Sequence, residues 1–336
     1  MSRSLRKKLI SIVLSTGIFV TLAMIFAAIL RLPLDQTTVG ASAIGLMVSG
    51  FETFYVQGHW GRWLRAMHPI KSIMIYSGII MIFFLIVMHL NHLAFGRWHL
   101  LGKTYAMLPT IIPLLFVVSI AAIMMLRIIG YLGARNLFYL LIGRYHRAVI
   151  ERKVILFLDM AGSTVLAEEL GPIQIRALIG KFLFDVSKPI TDYGGDIYRY
   201  TGDGVVATWD WGHAFDGGQV LGAIDAIREV VERERPYYEA AFGHHPRYRI
   251  GVHGGEIVIS EEGDTKRDIG HYGDNMNIAA RMEQKAKELG HDCILTAEVV
   301  DLLGGAGPRF EALGAETVRG ITEPIEIYGL KAILPE

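Results

Sequence analysis

The chain has almost nothing with which to cross-link itself. Cys293 is its one cysteine, which excludes an intramolecular disulfide framework and fits a reducing compartment. Its setting, HDCILT, reads as a strand, and a small buried residue is the ordinary role there. Net charge is also absent: 33 basic and 33 acidic side chains give a formal zero. Bulk charge therefore argues for no particular partner, nucleic acid included. No internal repeat or low-complexity stretch stands out. Acidic residues are scarce before residue 132, while the remainder has the mixed composition of a soluble domain. The length, 336 residues, is enough for two domains.

The acid-poor part holds long apolar runs. Four stretches predict membrane helices, at Leu9–Leu30, Thr37–Val56, Ile70–Phe95 and Leu108–Leu132, each long enough for about 30 Å of hydrocarbon. A signal peptide is the alternative for the first run, but the run is too long and lacks a clear cleavage site. Basic residues concentrate before the first span, between the second and third, and after the fourth. The positive-inside rule then puts both ends, and the C-terminal domain, in the cytoplasm. The expectation is a multi-pass protein of the inner or plasma membrane with a lipid bilayer as partner. His59, His68, His89, His92 and His99 fall in this region without a diagnostic ligand spacing. Glu52 reads either as an intramembrane switch or as an interfacial residue. Residues 133–153 predict a helix leaving the membrane and a connector to the first strand.

Beyond the connector the period changes. VILFL, Val154–Leu158, predicts a short buried strand that ends in Asp159, and a helix is predicted from Ser163 or Thr164. IYRY and VVATW flank a Thr-Gly-Asp-Gly turn and predict a hairpin with Asp203 at its tip. Two carboxylates at a strand end and a hairpin tip, beside a helix start, suit a metal–phosphate site. Helices interrupted near Gly171-Pro172 are expected to follow Thr164. RYRIGVHGGEIVIS predicts a strand, a glycine-rich turn and a second strand. Asn275–Leu289 predicts a helix on which Asn277 and Arg281, four apart, share a face. GGD at Gly194–Asp196 predicts a turn before a strand.

FLDMAGST, YRYTGDG and YGDNMNIAARME, in this order over about Arg152–Leu330, resemble the class III nucleotidyl cyclase domain. The resemblance implies an α+β, ferredoxin-like catalytic domain over 154–336, following a four-helix transmembrane domain at 1–132. It implies an adenylate cyclase that converts ATP to cyclic AMP with two Mg²⁺ or Mn²⁺ ions per site, in sites shared by a homodimer. Guanylate cyclase and a nucleotide-binding regulatory domain are the alternatives. On the family's pattern Asp159, Asp203 and the Met160 carbonyl hold the metals, Asn277 orients the ribose and Arg281 stabilises the transition state. Gly162, Ser163, Thr164 and Gly202 are candidate substrate contacts. The family's base-selecting lysine and its Asp or Thr are replaced here by Arg199 and Gly270, with His271 as a substitute donor or acceptor. Arg319 is the cation nearest to the family's late triphosphate lysine.

Overall fold

The computed structural model describes residues 34–56, 67–94 and 133–332 apart from 216–217, 266, 306 and 318–323, with isolated positions elsewhere before 129. The chain divides into two compact units, Met1–Phe138 and Tyr139–Glu336.

In the first unit, helix α1 (Leu34–Gly50) runs into a π-helical turn, Phe51–Val56. Helix α2 (Pro69–Ala94) follows. Tyr76 on α2 donates a hydrogen bond to Glu52 in the π-helical turn. Gly40 lets α1 approach α2 closely, since a side chain there would meet Asn91 Nδ2 at 2.7 Å. Of the four expected spans the described residues support one: Ile70–Ala94 is the helix among them that is long and apolar enough to cross a membrane. The second expected span, Thr37–Val56, falls within α1 and the π-helical segment that continues it. The first and fourth lie mostly outside the described residues, as do His59 and His99. His89 and His92 each bond through Nδ1 to the carbonyl one turn earlier on α2, at 2.7 and 2.9 Å.

The second unit begins with α3 (Ala134–Leu141), which straddles the division, and continues into strand β1 (Val149–Met160). Helix α4 (Ser163–Asp192) is interrupted at Gly171, whose φ of 74° precedes Pro172. Strands β2 (Asp196–Tyr200) and β3 (Val205–Asp210) form the expected hairpin. Helices α5 (Trp211–Phe215), α6 (Gln219–Arg233) and α7 (Arg235–Phe242) lead to β4 (Tyr248–Glu262) and β5 (Asp268–Tyr272). Helix α8 (Asp274–Leu289), β6 (Cys293–Thr296), α9 (Ala297–Leu302), β7 (Phe310–Glu316) and β8 (Ile325–Leu330) complete the unit. The sheet order is β2-β3-β1-β4-β6-β8-β7, with β5 paired to β4. Only β4 and β6 run parallel among the pairings described.

The period of two in β1 divides the core. Val154, Leu156 and Leu158 pack with Leu178, Phe182 and Val186 of α4 and Ile224 and Ile227 of α6. Ile155 instead joins Val206, Ile257, Ile259 and Ala279 of α8. Helix α8 thus lies on the face opposite α4 and α6, and Asp159, two pairs on from Ile155, belongs to the α8 face. The mixed α+β expectation is met.

Strand β4 departs from expectation. It is one continuous strand, with no turn at its glycines. These glycines make room for neighbours. A side chain at Gly251 would run into the Glu283 backbone nitrogen and the Ala279 carbonyl oxygen of α8. One at Gly254 would meet the Trp211 ring, and one at Gly255 the Asn275 side chain.

Candidate active site

Asp159 is carried to its place by the central strand and Asp203 by the β2–β3 turn. The turn is closed by a backbone bond from Thr201 N–H to the Gly204 carbonyl, 3.0 Å, with Gly202 at φ 81°. Positive φ and close approach both require glycine here. A side chain at Gly204 would meet the Leu158 carbonyl oxygen at 2.5 Å and Asp159 Oδ1 at 2.7 Å. The turn therefore lies directly on Asp159, which brings the Asp203 carboxyl close to it.

Two carboxyl groups this close favour holding a proton. Burial, then the charges of Asp203 and Glu283, push the Asp159 carboxyl up to about 7, with Arg249 opposing them. A carboxylate pair this close is stabilised by a cation between its oxygens, and hard divalent ions suit such ligands. Asp159 and Asp203 can hold such ions together with the Met160 carbonyl at the strand end. Among the described residues no third carboxylate, histidine or cysteine completes a metal cluster with them.

Two residues near the pair were not foreseen from the sequence. Arg249 is the register partner of Asp159 across β1 and β4. Glu283 on α8 lies 3.9 Å from Arg249 Nη1. Its own carboxyl is raised, chiefly by burial, against the pull of Arg249 and Lys287. A cation at the second position of β4, just before its apolar alternation, was the available signal for Arg249. Glu283 closes the YGDNMNIAARME stretch, but nothing in that stretch pointed to a partner on β4.

Gly162, with φ 75°, precedes Ser163 and Thr164 at the first turn of α4, next in the chain to β1 and Asp159. Neither Gly162 nor any other side chain caps that helix start. Asn277 is exposed and Arg281 half-buried on α8. Among the described residues neither makes a hydrogen bond or ion pair with Asp159 or Asp203 of its own chain. Helical residues advance about 100° each, so Arg281 stands roughly 200° around α8 from Glu283, the residue that faces Asp159. The N-terminal turn of α8 is fixed by a buried network. His253 bonds to Thr296 Oγ1 and to Asn275 Oδ1, both at 2.9 Å, and Asn275 Nδ2 donates to the Glu256 carbonyl at 2.7 Å. Burial lowers the His253 pKa, which favours the neutral ring.

Arg199 pairs with Asp268 at 3.1 Å and lies over the Tyr198 ring. Asp268 is a further residue the sequence did not single out. The Tyr198 and His271 rings stack at 3.9 Å with planes 6° apart, and Tyr198 Oη accepts the His271 backbone N–H at 3.2 Å. Burial, then Lys153, lowers His271 to about 4, and its Nδ1 is buried without a hydrogen-bond partner. Gly270 is not an empty substitute for an absent side chain. A Cβ there would strike the Tyr272 ring. Arg319 lies outside the described residues.

Residues 147–332 match the family described as the adenylate and guanylate cyclase catalytic domain. Adenylate cyclase 2 of Rhizobium meliloti (strain 1021) is 34% identical over 237 residues, 69% of this chain and 64% of that protein. The adenylate cyclase of Anabaena cylindrica is 32% identical over 195 residues, 55% of this chain and 38% of that protein. A solved structure of a bacterial light-regulated adenylyl cyclase shares the fold, with a TM-score of 0.55 and 24% identity over 67% of this chain and 65% of that one. The chain thus spans less than two thirds of the length of these relatives.

Proposed function

The chain belongs to the adenylate and guanylate cyclase catalytic-domain family, and on that premise we propose that it is an adenylate cyclase with active sites shared across a homodimer. The ribose 3′-oxygen of ATP attacks the α-phosphorus, gives up its proton and displaces pyrophosphate. One P–O bond forms and one breaks, yielding 3′,5′-cyclic AMP. The observation that carries the reading is the division of α8. Glu283 faces the carboxylates of its own chain, while Asn277 and Arg281 point elsewhere. A second copy of the chain completes each site, with one protomer giving Asp159 and Asp203 and its partner the Asn277–Arg281 face.

Asp159, Asp203 and the Met160 carbonyl would hold two Mg²⁺ or Mn²⁺ ions. Bound there, such ions lower the pKa of the attacking hydroxyl and neutralise the leaving pyrophosphate. Asn277 orients the ribose so that the 3′-oxygen stands in line with the α-phosphorus. Arg281 presents a planar, permanently charged fork to the oxygens of the pentavalent phosphorus. Gly162, Ser163 and Thr164 offer backbone N–H groups to the triphosphate. Arg199 donates to N1 of adenine and Asp268 accepts from its 6-amino group, with His271 Nδ1 beside them. The same donor and acceptor match O6 and N1–H of guanine, which makes guanylate cyclase the second reading. The names of the two bacterial relatives support ATP.

The test is to incubate the purified full chain with ATP and with GTP, each with Mg²⁺ and with Mn²⁺, and to identify products by mass. Cyclic AMP is the expected major product. Cyclic GMP in excess would establish the second reading, and the absence of both products would overturn both. Attachment to a bilayer through α2, with the catalytic unit on the cytoplasmic side, belongs to the same reading. It rests on the length and apolarity of α2 and on the basic residues that follow the apolar region. Release of the chain from membranes by alkaline carbonate would overturn it.

A further inference from the structure

We propose that His253 is a positioning residue: through Asn275 it fixes the rotation of α8, and so the direction in which Asn277 and Arg281 are presented. The proposal rests on the cyclase reading of this site. On β4 the positions 251, 253 and 255 alternate with Ile250 and Val252, which face the α4 and α6 side of the core. They therefore form the row beneath α8. Gly251 lies against the backbone of Ala279 and Glu283, and Gly255 lies against the Asn275 side chain. His253 is the side chain between these two glycines. Contact over a glycine sets how close a helix comes, but not how it is turned about its own axis. Hydrogen bonds are directional and supply what the glycines cannot.

The bonds run in one consistent direction. Asn275 Nδ2 donates to the Glu256 carbonyl at 2.7 Å, which leaves the Asn275 oxygen to accept from His253 Nε2–H at 2.9 Å. His253 Nδ1 then carries the lone pair and accepts the Thr296 hydroxyl at 2.9 Å. Thr296, the residue before α9, is fully buried, and His253 is 4% exposed. A histidine buried this deeply is costly unless both ring nitrogens are bonded, and here both are. An apolar side chain would cover the sheet equally well but would leave the turning of α8 unspecified. With Asn275 held down on the sheet, Asn277 and Arg281 stand roughly 200° and 240° farther round the helix, on the side turned from His253. A small rotation of α8 is thus converted into a displacement of the guanidinium at the end of a long side chain. A misplacement of about 1 Å can cost about a hundredfold in rate.

The experiment uses the full chain and the variants H253L, H253Q, N275A and R281A, with the double variant H253L/R281A. H253L keeps bulk and removes both bonds, while H253Q keeps a donor near the place of Nε2. The ATP kcat and KM are measured, and binding of 3′-deoxy-ATP, which lacks the nucleophile, is followed by calorimetry with Mg²⁺. H253L should lower kcat about ten- to a hundredfold and leave 3′-deoxy-ATP affinity within about a few fold. H253Q should restore most of kcat, and H253L should add little to R281A. Mixed dimers separate this role from a merely structural one. Since α8 serves the partner's site, H253L co-expressed with D159A should recover about a quarter of full activity, and H253L with R281A none. A general weakening of the fold would also damage the Asp159 half and prevent recovery with D159A. N275A removes the same bond from the helix side and carries the test if H253L does not fold. Unaltered kcat in H253L and N275A, or no recovery with D159A where R281A does recover, would overturn the proposal and leave the cyclase reading in place. Failure of R281A as well would refute the shared sites, and a kcat loss still absorbed by R281A would then uphold the proposal. An unmodified chain that makes no cyclic nucleotide would overturn the cyclase reading and this proposal with it.

Discussion

The carboxylate end of the site and its base-reading edge are built in opposite ways. Asp159 stands on the central strand, and the turn bearing Asp203 is pressed on it so closely that Gly204 has no room for a methyl group. Arg199 and Asp268 are joined only by their side chains, which are 48% and 57% exposed. The first arrangement is held by backbone and close packing. The second is an exposed ion pair of the kind that contributes about 0–1 kcal/mol to stability. Groups that must hold metal oxygens to a fraction of an ångström are on the rigid part. The groups proposed to choose between purines are on the adjustable part.

The largest effect that would break this contrast comes from the rigid side. Asp159→Ala should reduce cyclisation to background while the domain stays folded. Near-normal activity at saturating Mn²⁺ would refute the assignment. Arg281→Ala should cost roughly a hundred- to a thousandfold in kcat, as for loss of a strong oxyanion donor. Co-expressed in equal amounts, the two inactive variants should recover about a quarter of full activity. Half of the dimers are mixed, and each of those has one intact site. No recovery despite co-purification through different tags would place each site within one chain.

Gly204→Ala comes next. Overpacking of this kind costs about 1–3 kcal/mol, so Tm should fall by several degrees with activity severely reduced. An unchanged melting curve would mean that the turn can move away from Asp159. A pH series sharpens the same side. The folded pKa of Asp159, about 7, is above its ordinary value of 3.8. The folded state therefore holds a proton that the unfolded chain has released, and without metal this group's contribution falls as pH rises from about 4 to 7. A bound divalent ion replaces that proton. The Tm gain from Mg²⁺ should accordingly grow from pH 5 to pH 7.5 and level off above. A gain that does not vary with pH would refute this account.

The smallest effect belongs to the adjustable side. Arg199→Ala and Asp268→Ala should each change the ATP/GTP ratio of kcat/KM by a few fold and leave Tm within about a degree, as expected of an exposed pair. An unchanged ratio in both would move base selection to the backbone near Gly270 or to His271.

The rigid side was also the more legible in the sequence. Alternation in β1, the glycine-flanked turn and the spacing of Asn277 and Arg281 are local signals, and each has a local cause. Strand β4 was misread because glycine is ambiguous in sequence. Gly251, Gly254 and Gly255 read as turn residues, but each accommodates a neighbour distant in the chain. Strand β5 is short, and its residues become a strand by pairing with the extension of β4. Asp268 therefore had no context until that pairing existed. Arg249 and Glu283 meet only because α8 is seated on β4. In the first unit, hydropathy marked α2 correctly, but composition could not foresee the change of helical pitch at Phe51.

Gly251 has one more consequence. Because α8 meets β4 backbone to backbone there, the catalytic helix cannot be re-spaced by exchanging one side chain for another. Substitution is easier at the exposed Arg199 of β2 and Asp268 of β5, whose side chains are 48% and 57% exposed. A change of nucleotide base would then require few steps, each leaving a folded and active intermediate. The reaction and the choice of substrate can thus follow separate evolutionary histories within one sheet.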